Sequence, residues 1–460
     1  MAGLGGAECK QPKMDSMFKA KDYLHKDHPR ARQLTTAITR MIALDSQPYA
    51  MVDDPGFREL MYVAEPRYQL PSSTTFSRNL VPALYEQTKK SVTEKMLNDF
   101  SNGDPVPAFS FTTDIWTSRK MDAYISFTVA YLTSEFKLCT ASLEQQQITG
   151  SHTADAILES LEKAMDEWKL PQTIPIFCIR DNGSNLKSAV KKSGSWYDVS
   201  CFAHMLQLAI ADAIKECDGM VNMLTKCRKI VSHYHHSCVA GERIDRLQCL
   251  RNETEYDFIM SCPTRWNSEF LMVQRLLLLK ESICSDIAVV GDIDNLTTSE
   301  WKLAEGFVVV LNPLFESTKV SSGEQYSTRS LVIPLLFSIH EIVNSFVSDA
   351  TNRGSGVVFG RKMMASLLKR FPNYKRAFPD CLCTFLDPRF KSLLFDAETI
   401  DFIEQQLIEH GDDILRTQLT AQSTDSTHQL QFQTQNVGTS GSIMLDGVNT
   451  LSCDSASTSS

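Results

Sequence analysis

Phe111-Thr-Thr-Asp114-Ile-Trp116 and Ile174-Pro-Ile-Phe-Cys-Ile179-Arg-Asp181-Asn-Gly183 are the two stretches that decide how this 460-residue chain folds. Each is an apolar, strand-like run with an aspartate at its edge. Two more strand-like runs and one helical run lie between them, an order that can bring the two carboxylates to neighbouring strand ends. Phosphodiester chemistry with two metals needs such convergence, with the ions held ~3.5–4 Å apart. Mg²⁺ takes hard oxygen ligands, few of them from protein. On spacing alone the plainer reading carries more weight: Asp181-Asn-Gly is a turn and Asp114 a strand-end residue.

Working outward, Phe109–Trp116, Ala123–Thr133 and Lys137–Ile148 are rich in β-branched and aromatic residues and read as strands. Thr153–Trp168 reads as a helix with Thr153 as cap and Ala156, Leu158, Leu161 and Ala164 on one face. Ile174–Ile179 is a short, fully apolar strand suited to a buried central position. Asn185–Lys192 is the next helix, Asp198–Phe202 a last strand, and His204–Ile214 opens another helix. The order β-β-β-α-β-α-β-α predicts an α/β fold, an RNase-H-like mixed sheet with flanking helices.

Before this core, residues 29–105 form a small helical domain: Leu34, Ile38, Met41 and Ile42 recur at helical spacing, and Ser72-Ser-Thr-Thr75 offers caps for a helix over Phe76–Phe100. Asn102-Gly-Asp-Pro-Val-Pro107 breaks it. The core is expected over 106–218, and an almost purely helical insertion domain over 219–412. Residues 1–28 read as a disordered lead-in, and the Ser/Thr/Gln-rich 413–460 as a disordered tail.

Composition narrows the function classes. Hydrophobic residues at 43% and charged residues at 22% fit a soluble globular protein. A net charge of −9 argues against a protein that coats DNA, so any nucleic-acid contact must be local or lie in another module. Thirteen scattered cysteines without a Cys-x-x-Cys pair point to reduced thiols inside the cell. The N-terminus is a poor signal peptide, and no apolar run approaches the ~20 residues of a membrane span.

Three further motifs carry chemistry. Cys201-Phe-Ala-His204 places two metal-capable side chains on one helical turn, but a zinc site needs two more ligands. The spacing of His233, His235 and His236 does not supply them, so no zinc site is expected. Pro263-Thr-Arg265-Trp-Asn-Ser268 precedes a helix for which Asn267 or Ser268 could serve as cap. There Trp266 and Arg265 could contact a base or phosphate, or Trp266 could be a buried anchor. The basic clusters at 187–192 and 361–376 read as solvated helix faces.

Taken in order, Thr113-Asp114-Ile-Trp-Thr-Ser118, Asp181-Asn-Gly-Ser-Asn185, Cys201-x-x-His204 and Thr264-Arg-Trp-Asn-Ser268 resemble the hAT transposase superfamily, and specifically the BED-finger proteins domesticated from it. Asn312-Pro-Leu-Phe-Glu316, Ser322-Gly-Glu-Gln-Tyr326, Leu331-Val-Ile-Pro-Leu335 and Leu386-Asp-Pro-Arg-Phe-Lys391 extend the resemblance over most of 30–395. It implies that Asp114 and Asp181 are the first two acids of a DDE triad, with Mg²⁺ as their metal. It also implies that Cys201 and His204 form the family's Cys-x-x-His motif, and that Trp266 stacks on a flipped base.

The family's third acid lies in a Ser-x-x-Ser-Glu-Arg-x-Phe segment, which is not found here. Glu398, Glu404 and Glu409 on one later helix are no credible substitute. Cys9, His25 and His28 lack the spacing of a BED finger, so zinc is expected only in a longer form. The expectation is a domesticated, catalytically inactive nuclear protein that associates with DNA or chromatin in transcription regulation. It needs no cofactor, holds Mg²⁺ at most weakly, binds no membrane, and has homodimerisation open. The alternatives are a metal-dependent transposase or nuclease, and a truncated partner-binding fragment of a longer BED-finger protein.

Overall fold

The computed structural model describes residues 23–101, 108–148, 150–172, 174–252, 254–262, 265–323 and 325–411. The expected tail, the break at 102–107 and all but the end of the lead-in lie outside the described residues. Two units emerge: one gathers Met1–Asp104 with Met165–Leu170, the other Pro105–Ala164 with Pro171–Ser460.

The first unit is helical: α1 (Pro29–Leu44), α2 (Pro55–Ala64), α3 (Ser73–Thr75) and α4 (Val81–Ser101). Proline opens both α1 and α2, where the missing N–H costs nothing. Ser72 caps α3, its hydroxyl accepting from the Thr75 N–H at 3.3 Å. Between α3 and α4 the backbone widens to a π-turn over Phe76–Leu80. Ala31, Ile38, Ile42, Val52, Tyr68 and Phe76 form the core of this unit.

In the second unit, a six-stranded sheet is built from β1 (Phe109–Thr113), β2 (Ile115–Thr117), β3 (Ala123–Leu132), β4 (Leu138–Ile148), β5 (Ile176–Arg180) and β6 (Tyr197–Ser200). The order is β2-β3-β1-β5-β6, with β4 on β3. β1 runs antiparallel to β3 and parallel to β5, and β5 runs parallel to β6. In β3 every second residue from Ala123 is buried, and the residues between them are partly buried or exposed, as a two-residue period requires. The sheet is therefore mixed, and the expected RNase-H-like α/β class holds. The run expected as one strand over Phe109–Trp116 is interrupted at Asp114, where β1 ends and β2 begins.

Helix α5 (Ala154–Glu167) is capped by Thr153, whose hydroxyl accepts from the Ala156 N–H at 3.3 Å. Its buried positions are Ile157, Leu161, Ala164 and Met165. That face is rotated from the one read off the sequence: Ile157 and Met165 are buried, whereas Ala156 and Leu158 are only partly so. Helix α6 (Ser184–Ser193) links β5 to β6, and α7 (Phe202–Glu216) follows β6.

Beyond α7 come α8 (Met220–His236), α9 (Cys238–Leu250), α10 (Trp266–Leu278), α11 (Lys280–Val290), α12 (Thr298–Ser321), α13 (Val332–Ser348), α14 (Ser355–Arg370) and α15 (Asp380–Leu386). A further helix, α16, spans 397–411. One continuous core joins α7 to α14, through Leu206, Ile210, Leu224, Phe270, Phe307, Leu336 and Phe359 among others. Arg329–Ser348 is long and apolar enough to cross a membrane, with a mean hydropathy of 1.6. The sequence reading expected no run of this length. Val332, Leu336, Ile339 and Val343 of this helix are buried in the helical core, which accounts for its apolarity.

Candidate functional site

Sheet register places the two acids. Thr113 pairs with Arg180 as the last rung between parallel β1 and β5, so Asp114 and Asp181 are the next residues of adjacent strands, ~5 Å apart in strand spacing. Asp114 is exposed, and its backbone stays laddered to β3: its carbonyl accepts from the Ser126 N–H at 3.0 Å, and its N–H donates to the Ser126 hydroxyl at 3.2 Å. Asp181 turns the chain, one carboxylate oxygen accepting from the Gly183 N–H at 2.9 Å. A Cβ at Gly183 would meet that oxygen at 3.0 Å, so the turn favours glycine.

Behind the acids lies Arg180, 2% exposed. Its guanidinium donates to the Asp181 carbonyl and to the Asp198 carboxylate of β6, both at 2.6 Å. Asn182 binds across to the next elements: its amide oxygen accepts from the Ser200 hydroxyl at 3.3 Å and its amide donates to Met205 of α7. Asn185 donates to the His152 carbonyl at 2.7 Å. Asp181, Asn182 and Asn185 thus each hold a loop or helix start. Two carboxylates suit at most one loosely held Mg²⁺. No cluster of three or more His, Cys, Asp or Glu suited to a metal occurs among the described residues, so the donors do not fit a two-metal centre.

Cys201 is the N-cap of α7, its N–H donating to the Arg180 carbonyl at 2.7 Å, which ties this helix start to the acid turn. His204, half-buried one turn in, lines a cleft of about 320 Å³ with Ala203, Gln207, Arg265, Trp266, Asn267 and Thr318. Two motifs that are 60 residues apart in sequence therefore share one surface. Arg265 is the exposed N-cap of α10, and Asn267 turns a buried amide oxygen without a partner toward this region. Neither Asn267 nor Ser268 caps the helix. Instead, the Ser268 hydroxyl accepts from the Cys262 N–H and donates to the Arg265 carbonyl, both at 2.7 Å, pinning the preceding loop. Trp266 is 9% exposed, its ring edge against Phe270 and Phe315. It is mainly the anchor of the cleft, and Arg265 with His204 supplies its polar wall.

The sequence profile of the ZBED1 RNase-like domain matches residues 112–195, and that of the ZBED1 RNase-like helical domain matches 199–308. Zinc finger BED domain-containing protein 4 of Homo sapiens is 28% identical over 405 residues, which is 85% of this chain and 33% of that protein. Zinc finger BED domain-containing protein 6 of Homo sapiens is 26% identical over 389 residues, 80% of this chain and 38% of its own. The "Putative AC transposase" of Zea mays is 24% identical over 399 residues, 82% of this chain and 47% of its own. These matches support reading the chain as similar to BED-finger proteins derived from hAT transposases. It spans a third to about half of the length of these relatives.

The remaining candidates have structural occupations. His28 caps α1, its ring accepting from the Arg30 N–H at 3.2 Å, and His25 accepts from the Asp27 N–H at 3.3 Å. Cys9 lies outside the described residues. His233 faces Asp292 at 3.4 Å, and the rings of His235 and His236 lie edge to face. On α16, Glu398 pairs with Arg376 at 2.8 Å, and Glu409 accepts from Gln405 and Gln406. Sequence reasoning missed Arg180 and Asn182 as organisers of the acid turn. The only signal was a charged residue ending an otherwise apolar strand, which by itself does not say which way the side chain points.

Proposed function

We propose that this chain is a transposase-derived nuclear protein that associates with DNA or chromatin in transcription regulation, through the cleft between α7 and α10, and that it does not catalyse strand transfer. The observation that carries the binding reading is the convergence of His204 and Arg265 on one cleft, whose floor Trp266 fixes. A guanidinium at an exposed helix start is suited to phosphate, which it can grip with two parallel donors. The relatives' names, BED-finger proteins and a transposase, point to the same ligand. What supports inactivity is the donor set: two carboxylates, one of them engaged in its own turn. Mg²⁺, if taken up at all, would sit loosely between Asp114 and Asp181. Self-association remains part of the proposal only as a property to be measured.

The test is duplex binding by the full chain, read by fluorescence anisotropy at several salt concentrations, beside incubation of supercoiled DNA with Mg²⁺ or Mn²⁺. Expected are binding weakened at least fivefold by Arg265→Glu, and no nicking above background. The register of β1 and β5 favours one rival, a metal-dependent nuclease. Nicking that disappears with Asp114→Asn would establish it and sink the inactive reading.

A further inference from the structure

At the far end of α6 from Asp181, about 15 Å along the helix, lies a cavity of about 220 Å³ lined by Lys187, Val190, Lys191, Gly194, Trp196 and Asp198. We propose that this cavity binds single-stranded nucleic acid, stacking one base on Trp196 while Lys187 and Lys191 hold the adjoining phosphates. The proposal rests on the DNA-associated reading above, and it adds a second, separate contact with a different form of the ligand.

The charge of the site is set by the two lysines. They lie one helical turn apart on the same face of α6, both exposed, and neither makes an ion pair among the described residues. Their neighbour Lys192 differs, being held by Asp155 at 2.6 Å. The one acid of the cavity, Asp198, is already matched by the buried Arg180 guanidinium at 2.6 Å, so it offsets the lysines little. In a chain carrying −9 overall, a local, uncompensated pair of lysines beside a cavity is the kind of surface a polyanion would select.

The aromatic component decides between polyanions. Trp196 is half-buried: its ring packs nearly perpendicular to Phe111 of β1, with centroids 5.2 Å apart at 85°, and its backbone N–H donates to the Ser193 hydroxyl at 3.3 Å. Gly194 adopts φ 72° at the end of α6, and the space its missing side chain leaves beside the cavity is open. An indole beside two lysines matches the pattern of sequence-tolerant single-strand binding, in which bases stack and phosphates are neutralised. In a duplex the bases are already stacked, so a single strand is favoured. An acidic peptide would use the lysines and leave the indole idle.

The experiment titrates the full chain with fluorescein-labelled dT20 at several salt concentrations, for wild type, Lys187→Glu/Lys191→Glu and Trp196→Phe. Expected for the lysine pair is at least a tenfold loss of affinity, with a salt slope shallower by about 1.4, since each phosphate contact contributes ~0.7 for single strands. Tryptophan fluorescence of the wild type should fall on binding, and that quench should be missing in Trp196→Phe. The lysine variant changes only exposed side chains, so its result stands even if Trp196→Phe weakens packing on Phe111. Unchanged dT20 affinity in the lysine variant overturns the site, as does displacement of dT20 by poly-glutamate at equal charge concentration. Loss of dT20 binding in Arg265→Glu alone would leave the cleft reading standing and remove this one. A wild type that binds neither dT20 nor duplex overturns both.

Discussion

At the scale of single residues, the clearest polar constellation sits among the helices. Asp286, 4% exposed, accepts from Arg243 Nε at 2.7 Å and Nη2 at 2.9 Å and from the Tyr234 hydroxyl at 3.0 Å. Burial raises its carboxyl, but the Arg243 and Tyr234 hydrogen bonds outweigh that and hold it below the usual range. The same burial pushes the Tyr234 hydroxyl well above its ordinary value. A carboxyl depressed in the folded state contributes stability that is present above its unfolded value and lost as pH falls through the folded one. Asp286→Asn is therefore expected to cost about 3 kcal/mol in urea unfolding at pH 7, with the gap to wild type narrowing at pH 3. An equal gap at both values would refute the pairing. Thr113, the last residue of β1 before Asp114, is 4% exposed and its hydroxyl has no partner. Thr113→Val should be neutral, or stabilising by up to about 1 kcal/mol; a clear loss of stability would mean that the hydroxyl is bonded in solution.

Among elements, α12 and α14 cross at two glycines. A Cβ on Gly306 would lie 2.4 Å from the Gly356 Cα, and one on Gly356 would lie 3.0 Å from the Gly306 Cα. Backbone meets backbone there, so no rotamer can relieve the clash. Gly306→Ala is expected to cost at least about 2 kcal/mol by overpacking. Gly411, at the end of α16, has open space and an ordinary φ, so Gly411→Ala should be neutral or slightly stabilising. Thermal melts of the two variants would separate a packing requirement from a general glycine effect. The helices themselves were largely legible from periodicity, and Thr153 caps α5 as read; the capping box of Thr297 with Glu300 on α12 emerged only in the structure. The face of α5 was misplaced because two faces offered apolar residues, and only packing could choose between them.

For the whole molecule, the unit built on α1, α2 and α4 rests on a small cluster around Ile38, Val52 and Phe76, whereas the helices from α7 to α14 share one long continuous core. Amide hydrogen exchange should accordingly be faster in α1 and α2 than in α8 and α12; equal protection would indicate that the first unit is held by more than its own core. By itself, the sequence determined the element order and the mixed-sheet class, because those depend on periodicity and on residue type along the chain. Tertiary structure alone decided that β1 and β5 pair in the register that sets Asp114 beside Asp181, that Arg180 turns inward to hold the acid turn, and that His204 and Arg265 share a cleft. Each of those facts depends on which strands pair and where distant helices cross, a choice made by burying apolar faces against one another and not by any local stretch of chain.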